Sequence, residues 1–426
     1  MYPSPSGVCS STGFQEGPID VRLLMKQLTV DEHCRNSEAY YSLLSDWDFH
    51  HAKPFALIDE APVLLSKFAL AIYGLELRPE MTILDFGAGS GWTSRFLTQL
   101  GLRVIWLDVS QTALAMARDL YARQPVVGKK PSPKFSMFDG GRIDLPDASV
   151  DRVLSFDAFH HVPDTRLMLG ELSRVLKLGG IVGFAEPGPE HSQLPASQYE
   201  MRNYKVIEND MRLEQIWVEA QQAGFTDLKV AVPPWSPCLL PLDQFKAFVE
   251  RGEYSNNFVE PAQTRCKNSQ IFFLRKGEPE RPDSRQREGL SAELQVELDE
   301  KRVVSGRRRR WGRQPESQGF VVHATVTNNG VCTWLPGSAG VGAVHLGCHL
   351  YDAHGTLIKL DYCRDRLTPG QGRPIQPGET IQLTMVVPAP SPGKYRLQFD
   401  MVSEHVCWFS MHGQCRIVSH EVEVVQ

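Results

Sequence analysis

From residue 82 onward, short apolar runs alternate with longer stretches in which apolar positions recur every three or four residues. The short runs at 82–86, 104–107, 150–156 and 181–185 read as strands, and the stretches 93–100, 112–121 and 167–176 read as helices. Such alternation predicts βαβ units, a largely parallel sheet and helices on both of its faces. An apolar stretch at 55–77 predicts a helix ahead of them; a helix at 213–223 ending on Gly224 and strands at 228–232 and 270–274 complete one α/β domain near residue 275. From about Ala292 the period falls to two. The segments 320–327, 344–351, 380–387, 395–402 and 417–425 are punctuated by turns such as Asn328-Asn329-Gly330 and Gln376-Pro377-Gly378, a pattern that predicts a β-sandwich.

The predicted organisation is therefore a partly ordered lead-in (1–40), an α/β domain (41–275), a charged linker (276–291) and an all-β domain (292–426). Across 276–313 there are 11 basic and 8 acidic residues, including Arg307 to Arg310 in a row, a run that reads as a solvated insertion, with an anionic-ligand or polyphosphate patch as the alternative. The connection 186–210 is too long for a plain loop and lacks clear periodicity, so it is expected to cover the substrate.

With 426 residues and 42% hydrophobic content, the chain can bury a core in each of two or three domains. A net charge of -5 gives no general attraction to nucleic acid, and no apolar run is long enough to cross a membrane. The nine cysteines contain no CxxC pair, so the common zinc and redox spacings are missing, and their scatter fits reduced thiols in a cytoplasmic protein. No signal peptide is expected, because the first residues have neither a basic flank nor an apolar core.

The chemistry is concentrated at Ile83-Leu84-Asp85-Phe86-Gly87-Ala88-Gly89-Ser90-Gly91-Trp92, where a strand stops at an acid and a glycine run opens a helix. Bare glycine backbone lets a ligand approach a tight strand-to-helix turn. The next strand ends in Asp108, at the distance where a carboxylate can accept ribose hydroxyls. A dinucleotide is disfavoured, since the place of the third fingerprint glycine holds Trp92, and Asp85 at the strand end would repel a pyrophosphate while suiting a cation. A ribose-bearing, phosphate-free, cationic ligand matches S-adenosylmethionine.

On these residues, the region 46–275 resembles class I S-adenosylmethionine-dependent methyltransferases. Asp85, Phe86, Gly87, Ala88, Gly89 and Gly91 are similar to that family's first motif, Asp108 with Val109 to its ribose-binding acid, and Phe138-Asp139-Gly140 to its adenine segment. Phe156 and Asp157 resemble the end of the fourth strand, beside the methionine moiety, and 176–180 the turn before the fifth. The resemblance implies a Rossmann-like sheet in the order 3-2-1-4-5-7-6 with strand seven antiparallel, and a lid formed by the aromatic segment 47–55, which holds His50 and His51.

Methyl transfer needs an aligned nucleophile, and an alcohol nucleophile must also lose its proton. The catalytic candidates are His160 and His161 after the fourth strand, with Glu186 and His191 after the fifth. No metal-ligand spacing joins them, so no metal is expected. The β-domain resembles the immunoglobulin-like sandwiches of bacterial glycan-modifying enzymes and O-antigen export ATPases, and Trp334, Trp408 and Phe409, if exposed, could stack on sugars. These resemblances imply O-methylation of a sugar hydroxyl in a glycan or glycosylated metabolite. The alternatives are a small aromatic, lipid or amine acceptor, or a non-catalytic binding or scaffold protein.

Overall fold

The computed structural model describes residues 17–232, 239–304, 319–367, 372–412 and 414–426. The chain forms two compact units, one of residues up to 279 without 78–80, the other of 78–80 and 280–426. The arginine run 307–310 lies outside the described residues.

The first unit opens with helices α1 (Val21–Gln27), α2 (Val30–Ser42), α3 (Trp47–His51) and α4 (Ala61–Gly74). Strands β1 (Thr82–Phe86), β2 (Arg103–Asp108), β3 (Lys134–Met137), β4 (Val150–Phe156), β5 (Leu176–Pro187), β6 (Asp227–Ala231) and β7 (Ser269–Arg275) follow. Between them run α5 (Trp92–Gln99), α6 (Gln111–Arg123), α7 (Thr165–Val175), α8 (Pro195–Tyr204), α9 (Leu213–Gln222), α10 (Leu242–Arg251) and α11 (Asn256–Asn268). The sheet order is β3-β2-β1-β4-β5-β7-β6, and β7 is antiparallel to both of its neighbours. Successive strand residues face opposite cores, Ile83 packing with Trp106 and Leu154 on one side and Leu84 with Val153 and Phe184 on the other. Burial on both faces explains why these strands read as continuous apolar runs. The order reverses at β1, which pairs with β2 on one edge and β4 on the other, and a crevice opens there at the strand ends.

Where a partly ordered lead-in is expected, α1 and α2 are helical. The hydroxyl of Thr29 accepts from the Glu32 amide while the Glu32 carboxylate accepts from the Thr29 amide, a capping box that starts α2. Its far end is tied down by Glu38, whose carboxylate accepts from Ser110 Oγ (2.7 Å), the Thr112 amide (3.2 Å) and Thr112 Oγ1 (2.5 Å) at the start of α6. The helix expected over 55–77 begins only at Ala61, with Pro62 in its first turn, where a missing amide hydrogen costs nothing.

The second unit contains β8 (Ala292–Leu298), β9 (Arg302–Val304), β10 (Gly319–Asn328), β11 (Val344–Asp352), β12 (Leu357–Arg366), β13 (Thr380–Pro388), β14 (Gly393–Ser403), β15 (Cys407–Trp408) and β16 (Val418–Val425). One sheet runs β13-β10-β8, and the other runs β12-β11-β14-β16-β9 with β15 beside β14. Alternate residues of β8 and β10 are buried, as the period-two pattern predicts, and the two sheets share one core. Trp334 and Phe409 are fully buried in that core, 5.8 Å apart, so neither can stack on a sugar. Trp408 is half-buried, its ring 4.3 Å from His349 and under the Arg364 guanidinium. Within 276–291, residues from 280 onward fold with this unit, and the buried Ser284 donates to the Gly342 carbonyl.

Candidate active site

The crevice is floored by Phe86, Gly87, Asp108 and Val109 and walled by Phe138, Gly140, Asp157 and His161. Its cover is α2: His33, Ser37 and Tyr41, spaced four residues apart on one helical face, line it. Sequence reasoning missed these three, although the Thr29 to Glu32 capping box and the i, i+4, i+8 spacing were there to be found. The segment expected as the lid instead packs against α6. His51 is buried with Nε2 3.0 Å from the Met116 carbonyl, and neither His50 nor His51 lines the crevice.

Backbone shapes the half of the crevice at β1 and β2. Gly87, Gly89 and Gly91 all have positive φ, which side chains other than glycine adopt only under strain. A Cβ on Gly87 would lie 2.4 Å from that of Ala158, and one on Gly91 would lie 2.4 Å from the Trp106 ring. The Gly89 amide donates to Asp108 Oδ2 (2.8 Å) and the Ser110 amide to Oδ1 (2.9 Å), fixing a buried carboxylate in the crevice floor. Burial pushes the Asp108 carboxyl above its ordinary range, against those amides. A bare turn beside a fixed acid fits the ribose and methionine portions of S-adenosylmethionine.

Several expected contacts are displaced from the crevice. Asp85 does not face a ligand. It is buried under α5, where Thr93 Oγ1 (2.7 Å) and Ser94 Oγ (2.5 Å) both donate to its Oδ2. Burial pushes its carboxyl up to about 6 despite these bonds. Phe156 points to the opposite face of the sheet, among Phe68 and Trp92, and Ala88 packs in the same cluster. Asp139 turns back to accept from the Gly141 and Arg142 amides (2.8 Å each), while Gly140 lines the crevice. Asp157 does line the crevice, with Lys67 Nζ 2.6 Å away; burial would raise its carboxyl, but Lys67 holds it below the usual range.

At β4 and β5, side chains shape the site. His160 Nδ1 lies 2.7 Å from Glu186 Oε2, and the fully buried Glu186 also accepts from Ser155 Oγ and the Phe159 amide at 2.9 Å. His161 Nδ1 lies 2.6 Å from the Ile207 carbonyl and 3.4 Å from Glu208 Oε1, while His191 Nε2 reaches Glu208 Oε2 at 2.6 Å. All four catalytic candidates thus share one cluster, whose rings stand 3.9 Å (His160 to His161) and 5.0 Å (His160 to His191) apart. Its hub, Glu208, follows α8 in the segment expected to cover the substrate; nothing local in the sequence marked it. The expectation of no metal rested on spacing along the chain; folding brings one potential ligating atom each of His160, His161 and Glu208 within 4.8 Å of one another.

The cluster is strongly polarised. Burial and the neighbouring His161 charge hold His160 below the usual histidine range. Burial also pulls on His161, but the Glu208 carboxylate and the Ile207 carbonyl outweigh it and hold that ring above the range. Glu208, which burial alone would raise, is held at about 2 by His161 and the His191 hydrogen bond, whereas Glu200 is pushed up to about 7 by burial and by Glu208.

Residues 84–184 match a family model described as a methyltransferase domain. A 2-methyl-6-phytyl-1,4-hydroquinone methyltransferase of Synechocystis is 36% identical over 111 residues, covering 26% of this chain and 33% of its own length. A sterol 24-C-methyltransferase of Gibberella zeae is 28% identical over 171 residues, 38% of this chain and 44% of its own. For a ubiquinone biosynthesis O-methyltransferase of Paramagnetospirillum magneticum the figures are 35% over 104 residues, 24% and 38%. This chain thus spans less than half the length of these curated relatives. A solved phosphoethanolamine N-methyltransferase 2 of Haemonchus contortus, in complex with S-adenosylhomocysteine, aligns at 19% identity and a TM-score of 0.41 over 59% of this chain and 61% of its own. Residues 84–184 accordingly match a methyltransferase domain within a Rossmann-like seven-stranded unit, and S-adenosylmethionine is the cofactor of that domain.

Proposed function

We propose that this chain methylates a hydroxyl oxygen of a small-molecule or saccharide acceptor, using S-adenosylmethionine. The observation that carries the reading is the crevice itself, which has a bare glycine turn and buried Asp108 at one end and His161 in the wall at the other. Asp108 and Val109 would hold the ribose, Phe138 and Gly140 the adenine, and Gly87 the methionine portion. S-adenosylmethionine supplies an activated methyl group when bound. The chain's task is then to exclude water, orient the acceptor and lower the cost of removing its proton. His33, Ser37 and Tyr41 close the crevice from above, and His161 is the catalytic candidate that reaches its wall.

Within this reading a sugar hydroxyl is the finer choice. It is supported by the resemblance of the second unit to glycan-associated sandwiches, Trp408 being partly accessible where Trp334 and Phe409 are buried. A second reading is a small apolar acceptor, because named relatives act on a hydroquinone and a sterol. Incubation with methyl-labelled S-adenosylmethionine and a panel of saccharides, quinols, sterols and amines separates the readings. Label on saccharide oxygen supports the first and label on quinol oxygen the second; label confined to nitrogen or carbon removes the hydroxyl reading altogether.

A further inference from the structure

His160 and His161 each use Nδ1, and Glu208 uses Oε2, in a hydrogen bond that fixes the side chain's orientation. Glu186 Oε2, a carboxylate oxygen, accepts at 2.7 Å from His160 Nδ1, so in the neutral ring Nδ1 carries the hydrogen and Nε2 the lone pair. The Ile207 carbonyl imposes the same tautomer on His161 through Nδ1 at 2.6 Å. His191 Nε2 occupies Glu208 Oε2 at 2.6 Å, and Glu208 Oε1 lies 3.4 Å from His161 Nδ1 in a residue that is 4% exposed. A carboxylate or carbonyl behind each ligating imidazole, and a hydrogen bond behind the ligating carboxylate, are how proteins aim side chains at a metal.

We propose that His160, His161 and Glu208 bind one divalent transition-metal ion of the zinc type, whose open position takes the acceptor's hydroxyl oxygen. The inference rests on the methyl-transfer reading above for the ion's role, but not for its binding. Two imidazoles and a carboxylate with a fourth position free form the ligand set of catalytic zinc. One potential ligating atom from each of the three residues lies within 4.8 Å of the other two. A tetrahedral ion needs roughly 3.4 Å between ligands, so side-chain adjustment of about an ångström completes the site. His160 and Glu208 are buried whereas His161 reaches the crevice wall, so the ion's free side faces the crevice.

The chemistry balances without a further reagent. Coordination makes the hydroxyl acidic enough to lose its proton to water. The oxygen lone pair then forms the bond to the methyl carbon, the carbon–sulfur bond breaks, and its electron pair goes to sulfur.

The test is calorimetric titration of Zn²⁺ into the full chain after treatment with chelator, with Co²⁺ absorption as an optical readout. One equivalent of Zn²⁺ is expected. Glu208→Gln should weaken binding at least 100-fold, and Glu186→Gln, which touches no metal, should weaken it about 10–100-fold. Circular dichroism establishes that both variants are folded. Lack of stoichiometric zinc binding, or unchanged affinity in both folded variants, overturns the site. A metal-free chain that transfers methyl at full rate overturns the ion's role and leaves His161 as a plain base. Stoichiometric zinc lost in Glu208→Gln, with no methyl transferred to any acceptor, upholds the site and sinks the proposed function instead.

Discussion

The two ends of the crevice are built by opposite means. At β1 and β2 the shape comes from backbone: three glycines at positive φ, and a carboxylate whose oxygens are held by the Gly89 and Ser110 amides of the two turns. At β4 and β5 it comes from side chains gathered from residues 160 to 208 and hydrogen-bonded to one another and to the Ile207 carbonyl. The first end is rigid and satisfied before any ligand arrives. The second gathers histidines and carboxylates whose orientations are fixed by hydrogen bonds among themselves.

If the contrast is real, mutations at the two ends should separate binding from turnover. The largest effect is expected for His161→Asn, which should lower kcat by about 10²–10⁴-fold while the Kd for S-adenosylmethionine stays within about threefold; a parallel loss of cofactor affinity would merge the two ends into one. Next, Gly91→Val forces a β-branched residue to a φ of 84° and its Cβ to 2.4 Å from Trp106. It should cost about 3–5 kcal/mol in the denaturant transition of the first unit, and a loss below about 1 kcal/mol would show that the turn is not packed as described.

Asp85 gives a pH test. Its carboxyl is pushed from 3.8 to about 6 in the folded chain, so the folded state binds the proton more tightly than the unfolded one. The stability this adds is complete below about pH 4 and is lost as pH rises through about 6, a change of about 3 kcal/mol. Asp85→Asn should flatten the dependence of the denaturant midpoint between those pH values; an unaltered slope would mean the titrating group lies elsewhere. The smallest effect is expected for Asp108→Asn, which keeps the fold by circular dichroism and weakens S-adenosylmethionine about 10–100-fold by calorimetry, a charge-assisted hydrogen bond being worth about 1.5–3 kcal/mol. Unchanged affinity would place the ribose elsewhere.

The same contrast governs what was legible in the sequence. Strands buried on both faces must be continuous apolar runs, so β1, β2, β4 and β5 stood out, and the glycine turn declared itself because few other purposes need that spacing. Asp85 was misread because a strand-end acid looks the same whether it meets a ligand or the hydroxyls of Thr93 and Ser94 one helical turn on. The mostly polar α8 has no apolar stripe to give it away, and Glu208 acquires its role only when its segment folds back onto His161. Trp334 lies between strands, where alternation along the chain says nothing about which way a ring points.

Glu38 joins the covering helix to the turn that presents Asp108, through the donors at 110 and 112. One side chain therefore ties the crevice's cover to its floor, and a change at Glu38 would loosen both together.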